Sequence, residues 1–365
     1  MDRRDTEYMQ RALRLAERGL YTTEPNPRVG CVIVRNGSIV GEGWHQRAGE
    51  AHAEILALAQ AADAAAGSTV YVTLEPCSHH GRTPPCADAL IGAGVARVVV
   101  AMQDPNPAVA GSGLQRLQRQ GINVETGLLE QGARAINPGF IKRMEQGRPY
   151  IRVKLAMSLD GRTAMASGES QWISGEAARA DVQRLRARSS VILTGIETVL
   201  HDDPSLNVRL TAEQLGISGD VRQPRRVVLD SQLRFPTSAN MLAVAGRTTV
   251  LTTRQGEIDA RCDVVRLDEV DGHLDLDSVM NWLAECQANE VHVEAGASLC
   301  GALLQHRLVD EIVVYMAPHI MGSGARGLFD LPGLDRMADR IRLDISDVRR
   351  IGMDLRITAV PAGNE

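Results

Sequence analysis

The sequence predicts an α/β protein in two domains, 1–147 and 148–365. Three observations carry that expectation. The chain has 365 residues, a length that ordinary domain sizes divide in two. Short β-branched runs alternate with helix-period segments in both halves, as in a mostly central sheet covered by helices on both faces. Around NPGFIKRMEQGRPY (137–150) the alternation pauses, and Gly147 and Pro149 mark a boundary.

In chain order, Asp5 to Glu17 carries Met9, Ala12, Leu13 and Ala16 at helical spacing, with Gly19 at the exit. VGCVIV (29–34) and SIVGEG (38–43) flank Asn36-Gly37, the strongest short hairpin signal. AEILALAQAADAAA (53–66) reads as a helix, STVYVTL (68–74) as a strand, ADALIGAG (87–94) as a helix and ARVVVAM (96–102) as a strand. Helix GLQRLQRQ (113–120) and strand INVETG (122–127) close the first half. The second restarts with IRVKLAMSLDG (151–161), where Ile151, Val153 and Leu155 alternate with Arg152, Lys154 and Ala156. Strands are then expected at SVILTG (190–195), RRVVLDS (225–231), TTVLTT (248–253), EVHVEAG (290–296) and EIVVYMAP (311–318), with a helix at 277–288.

Composition narrows the function classes. A net charge of −5, 3% aromatic residues and no block of basic residues give no footprint for nucleic acid. A small, phosphorylated metabolite fits better. The N-terminus has no apolar run of signal-peptide length, and no segment approaches the roughly 20 apolar residues of a membrane span. Six cysteines scattered through a long chain do not form a disulfide framework, so a cytoplasmic protein is expected.

Cys77 and Cys86 stand apart from the other cysteines. They sit in EPCSHHGRTPPC (75–86), some twenty residues after HAE (52–54). Cys77 follows a strand, and Cys86 follows Pro84-Pro85 and opens a helix, where backbone dipoles favour a thiolate. Two thiolates and the His52 imidazole leave a fourth tetrahedral position for water, as in catalytic zinc sites. His52 and Glu54 can share such a site only if His52 lies at a non-helical entrance and Glu54 in the first turn, because residues two apart on a helix diverge. The pattern matches the zinc-deaminase signature H-x-E, P-C-x-x-C, apart from the longer gap between cysteines. Zinc lowers the pKa of bound water to about 7, and a carboxylate that takes a proton and returns it serves both halves of a hydrolytic deamination. The alternatives are no zinc, or a structural zinc with His79 or His80 as fourth ligand.

The second half lacks a G-x-G-x-x-G fingerprint. EAGASLCG (294–301) is a glycine-bearing strand–helix turn that can present N–H groups to phosphate; alone it is equally an ordinary connection.

Together these stretches resemble a family. NPRVGCVIV (26–34), GEGWHQRAGEAHAE (41–54) and EPCSHHGRTPPC (75–86) look like the deaminase half of the bifunctional riboflavin-biosynthesis deaminase/reductases, and the long cysteine gap is typical of them. KLAMSLDGRTAMASGESQWIS (154–174) and HVEAGASLCGALL (292–304) look like the reductase half. The resemblance covers almost the whole chain. It implies a cytidine-deaminase-like α/β/α sandwich with a mixed sheet, then a dihydrofolate-reductase-like α/β domain, with Zn2+ and NADPH as cofactors and a homo-oligomer as the assembly. His52, Cys77 and Cys86 match the zinc ligands and Glu54 the proton shuttle; Asn26 and His45 fall where the pyrimidine is met, and Arg82 where relatives often have lysine. The resemblance assigns Ala156, Trp172, Thr198, Asp202 and the run Gly296, Ala297, Ser298, Leu299, Cys300, Gly301 and Ala302 to the nicotinamide cofactor. Ser170, Arg186, Leu206, Arg209 and Glu294 would border the substrate, the arginines suiting its phosphate. Lys154, Asp202 and Glu294 are candidates for the polar groups around the reacting sugar. The rival readings are a nucleoside or tRNA deaminase with an unrelated second domain, and a zinc-dependent interaction module without catalysis.

Overall fold

The structure is a computed structural model that describes residues 2–78, 85–107 and 109–363. The chain divides into two compact units, Met1–Arg148 and Pro149–Glu365.

In the first unit five strands form one mixed sheet, in the order Ser38–Trp44, Gly30–Arg35, Thr69–Val72, Arg97–Val100, Asn123–Thr126. Gly30–Arg35 runs antiparallel to both of its neighbours, and the last three strands are mutually parallel. Asn36 and Gly37 both take positive φ, 52° and 77°, the backbone a two-residue hairpin turn requires. Period-two alternation then sorts the side chains. Cys31, Ile33, Val70, Val72, Val98 and Val100 pack against Ala53, Ala57, Ala61, Leu90 and Leu117 of three helices on one face. Val32, Val34, Tyr71 and Val99 meet Met9, Ala12, Leu15, Ala133 and Ile141 on the other.

The pause expected at 137–150 is in fact a helix, Pro138–Gln146. Pro138 stands in its first turn and Gly147 ends it at φ 68°, so Gly147, read as a boundary marker, closes a short helix. Its Phe140 and Ile141 belong to the first unit's core.

In the second unit nine strands form one sheet. Seven are parallel, in the order Cys262–Arg266, Thr248–Thr252, Arg225–Leu229, Val191–Gly195, Glu290–Val293, Tyr150–Ser158, Glu311–Ala317; Asp354–Pro361 and Leu343–Ile351 extend the sheet antiparallel. The strand Tyr150–Ser158 lies inside this sheet, so the polar side of its alternation is covered too. Arg152 is fully buried and pairs with Glu290 (2.9 Å) and Glu311 (3.0 Å) on the flanking strands. No helix among the described residues is long and apolar enough to cross a membrane.

One ion pair fastens the first helix to the first sheet. Asp5 accepts both forks of Arg97 (2.8 and 3.0 Å) and the Tyr71 hydroxyl (2.6 Å), while Arg97 also reaches Glu125 (2.7 Å). The Arg97 hydrogen bonds hold the Asp5 carboxyl well below its ordinary value. This contribution to stability is therefore full at neutral pH and fades as pH falls below about 4, where an unfolded aspartate protonates. Asp5→Asn leaves Arg97 with Glu125 alone. The expected cost is about 2–3 kcal/mol, somewhat less than for a buried ion stripped of every partner. Hydrogen exchange should show it as lost protection in Thr69–Val72 and Arg97–Val100, with the second unit's strands unchanged.

Candidate active sites

The first site begins with a close approach of backbone to backbone. A Cβ on Gly43 would lie 2.3 Å from the Ala53 carbonyl oxygen, and one on Gly41 2.2 Å from that of Ala57. These glycines let the helix Ala53–Ala61 rest on the hairpin through its alanine face. His52 is the N-cap, with extended backbone (φ −73°, ψ 164°), and Glu54 lies in the first turn, 3% exposed. The non-helical entrance therefore exists, and both side chains turn to one place.

Cys77 and Cys86 meet them there. His52 Nδ1 lies 3.2 Å from Cys86 Sγ and 3.6 Å from Cys77 Sγ, and the three ligand atoms fall within 4.8 Å of one another. A zinc ion bound tetrahedrally at about 2.3 Å from sulfur and 2.1 Å from nitrogen separates those atoms by about 3.6 Å, so the donor set fits the ion. Burial pushes the Glu54 carboxyl up to about 7, and that carboxyl touches the Cys86 thiol.

Asn26 and His45 stand beside the cluster. The His45 ring meets that of His52 edge-on, with centroids 5.4 Å apart. Its Nδ1 faces the Ala51 carbonyl (3.2 Å) and its Nε2 the Asn26 amide nitrogen (3.1 Å). Burial lowers the His45 pKa, which suits a neutral ring donating to Ala51 and accepting from Asn26. The Asn26 oxygen is thereby left for other partners. Arg82, His79 and His80 lie outside the described residues.

The second site is a cleft of about 1690 Å³ in the second unit. That exceeds the roughly 300–1,000 Å³ of a typical single-ligand pocket. Its walls include Lys154, Ala156, Ser170, Trp172, Thr198, Asp202, Leu206, Arg209, Glu294, Gly296, Ala297, Ser298, Leu299 and Ala302. Gly296 caps the helix Ala297–Gln305, and a Cβ there would meet nothing, so the helix start is open to the cleft. Trp172 is 71% exposed, under the Arg179 guanidinium at 4.7 Å; it is not a core residue.

Two expectations change. Cys300 and Gly301 do not line the cleft: Cys300 is packed in the core, and a Cβ on Gly301 would lie 2.0 Å from the Asp330 carbonyl oxygen. Helical periodicity turns these two residues inward. Arg186 lines the cleft, but its fork is committed, with Nε and Nη2 on Glu294 (2.5 and 3.0 Å) and Nη1 on the Asn207 carbonyl (3.0 Å). It holds a carboxylate of this chain, not an open phosphate position. Despite burial, Arg186 and His292 keep Glu294 well below the ordinary range. Lys154 is pushed down by burial, partly opposed by Glu294.

Sequence reasoning passed over Ser231, Gln232 and Arg234, which also line the cleft; they follow a strand end and carry no motif. It also gave no role to Asp160 of the SLDG stretch. That carboxylate accepts from Ser158 Oγ (2.5 Å) and from the Met321 and Gly322 amides (3.1 and 2.8 Å), a staple with distant partners.

A three-ligand zinc cluster with a buried glutamate on a mixed α/β/α sheet defines a zinc deaminase, here joined to a second α/β unit with a large cleft. Comparison with known proteins agrees on both halves. Residues 2–102 match the cytidine and deoxycytidylate deaminase zinc-binding region, and residues 149–357 the RibD C-terminal domain. The riboflavin biosynthesis protein RibD of Escherichia coli is 54% identical over 98% of this chain and 100% of its own length, and that of Haemophilus influenzae 49% over 98% of each. Among solved structures, RibD of Acinetobacter baumannii is similar at 46% identity and a TM-score of 0.91, covering 98% of this chain and 99% of its own. The Thermotoga maritima diaminohydroxyphosphoribosylaminopyrimidine deaminase/5-amino-6-(5-phosphoribosylamino)uracil reductase gives 32% and 0.87, with the same coverage. The chain belongs to the RibD family of bifunctional deaminase/reductases of riboflavin biosynthesis, and zinc and NADPH are the cofactors its two regions fit.

The glycine contacts generate a prediction. Gly43→Ala forces the helix that carries His52 and Glu54 away from the hairpin, at about 1–3 kcal/mol for overpacking. Deamination should fall at least about tenfold, as expected for a misplaced catalytic group, while NADPH consumption by the reductase stays at the parent rate. Parallel assays of ammonia release and absorbance at the nicotinamide band check this.

Proposed function

We propose that residues 1–147 deaminate 2,5-diamino-6-(5-phosphoribosylamino)pyrimidin-4-one at the His52–Cys77–Cys86 cluster. We further propose that residues 148–365 reduce the resulting 5-amino-6-(5-phosphoribosylamino)uracil to its ribitylamino counterpart. The observation that carries the first half is the convergence of three zinc donors on a buried glutamate. When bound, zinc supplies an acidified water at neutral pH. Glu54 would carry two protons in turn, one from the attacking water to the ring nitrogen and a second from the new hydroxyl at the attacked carbon to the departing amine, which leaves as ammonia. The Asn26 oxygen, left open by the His45 contact, accepts from the pyrimidine.

In the cleft, the open helix start at Gly296–Leu299 receives cofactor phosphate, and Trp172, Thr198 and Asp202 border it. NADPH supplies the hydride when bound. Reduction at the sugar's C1 also needs a proton at the ring oxygen. Glu294 is held ionised by Arg186, so it orients the sugar and does not donate. Lys154, which lines the cleft and whose pKa is lowered by burial, is the donor in this reading. Arg209, exposed in the cleft wall, takes the substrate phosphate. A cytoplasmic homo-oligomer completes this reading.

Glu54→Gln removes the proton carrier and none of the ligands. It should keep one zinc per chain by metal analysis, abolish ammonia release and leave the reductase intact; an interaction module without catalysis would be indifferent to it. Arg209→Ala should raise the reductase KM for the phosphorylated uracil about tenfold or more, the scale of one lost charge-assisted contact. The KM for NADPH should move little in the same steady-state titrations.

A further inference from the structure

Glu75 lies two residues before Cys77 and takes no part in the chemistry above. It is buried, and its hydrogen-bond donors are backbone amides. Oε2 accepts from Asp104 N (3.1 Å) and Gly111 N (2.9 Å); Oε1 accepts from Gly113 N (2.8 Å) and Leu114 N (3.4 Å). The neighbouring residues are fastened to the same segment. A Cβ on Gly113 would lie 2.0 Å from the Pro76 carbonyl oxygen, and the Ser78 and Ser112 hydroxyls are 2.6 Å apart. Cys77 sits in the middle of these attachments. From the other side, Cys86 N donates to its sulfur (3.3 Å) and Ala87 N to its carbonyl (3.1 Å).

We propose that Glu75 is a positioning residue of the metal site: its carboxylate ties the Cys77 segment to the 111–114 backbone and so fixes where the Cys77 sulfur meets the ion. The inference rests on His52, Cys77 and Cys86 holding zinc. All four contacts are N–H donors, so both Glu75 oxygens act as acceptors. In Glu75→Gln the amide nitrogen faces backbone N–H groups donor to donor, and that end of the clamp must open. Altering a group that orients a metal ligand weakens the metal about 10–100-fold.

The test uses the full chain loaded with one zinc and challenged with a chelator, and the same variants loaded with cobalt. Glu75→Gln should release zinc about 10–100-fold faster and weaken the thiolate-to-cobalt absorption band. Gly113→Ala should act in the same direction with residue 75 still glutamate, because the added methyl displaces Pro76 and crowds Glu75 Oε1. Alanine is the better helix former within Ser112–Arg119, so local propensity does not explain a loss. Leu15→Ala, a core truncation on the sheet face opposite the helix Ala53–Ala61, should lower the melting temperature but leave zinc release and the cobalt band unchanged. Parent-like zinc release and spectrum in Glu75→Gln overturn the proposal, and so does equal acceleration by Leu15→Ala. If Glu75→Gln does not fold, Gly113→Ala decides in the same two readouts. Failure of the parent chain to take up one zinc would instead sink the ligand assignment itself.

Discussion

The deaminase site depends on a contact between two backbones. The helix Ala53–Ala61 lies so close to the hairpin strand Ser38–Trp44 that glycine is the residue that fits at 41 and 43. The facing helix positions are alanines, buried at 53, 57 and 61. Small residues on both partners trade side-chain burial for proximity. Helices with larger contact residues sit some 8–10 Å from their neighbours, and a ligand carried at such a helix start would move with it. The metal donors come from three separate chain segments, so their spacing is only as exact as the packing between those segments. Interiors packed to crystal density transmit displacement rather than absorb it. A rigid frame is what holds the His52, Cys77 and Cys86 donor atoms within 4.8 Å of one another.

The second unit meets a different constraint. Its sheet has parallel strands covered on both faces, where charged side chains are costly unless paired. Arg152, Glu290 and Glu311 form a sealed group, joined by Arg188 on Glu290 (3.0 Å). Two residues further along the same strand face, Lys154 opens on the cleft. One polar stripe thus serves two purposes along its length: it closes the sheet at one end and equips a site at the other.

Much of this was legible in the sequence, for identifiable reasons. Strands with buried alternation, such as Gly30–Arg35 and Arg97–Val100, announce themselves because both faces touch core. The zinc donors were legible because cysteine, histidine and glutamate are uncommon together and their chemistry is narrow. The C-terminal hairpin was not: Leu343–Ile351 is exposed along most of its length, and LDISDVRRI lacks an apolar period to read. The burial of Arg152 was not legible, because period two distinguishes the faces of a strand but not what covers them. Glu75 and Asp160 stayed silent for another reason. Their long-range partners are main-chain amides, and a backbone amide has no letter in the sequence. Arg186 was legible as a cation near the site, while its commitment to Glu294 depends on a separation of 108 residues.

That commitment bears on how the cleft divides its charges. A carboxylate and two cations share the space of Glu294, Arg186 and Lys154. Had Lys154 been the sole partner of Glu294, the pair would have stabilised each other's charged forms, and the ammonium would have been a poorer acid. Arg186 prevents that. Its planar fork takes both carboxylate oxygens, remains charged at any physiological pH and satisfies Glu294 before the lysine is counted. The second cation is then burdened by its surroundings: burial lowers Lys154, with the carboxylate only partly offsetting it. A lowered lysine parts with its proton more readily, while a lowered glutamate holds none to give. Arg186 thus helps keep Glu294 an anion, while burial weakens the hold of Lys154 on its proton.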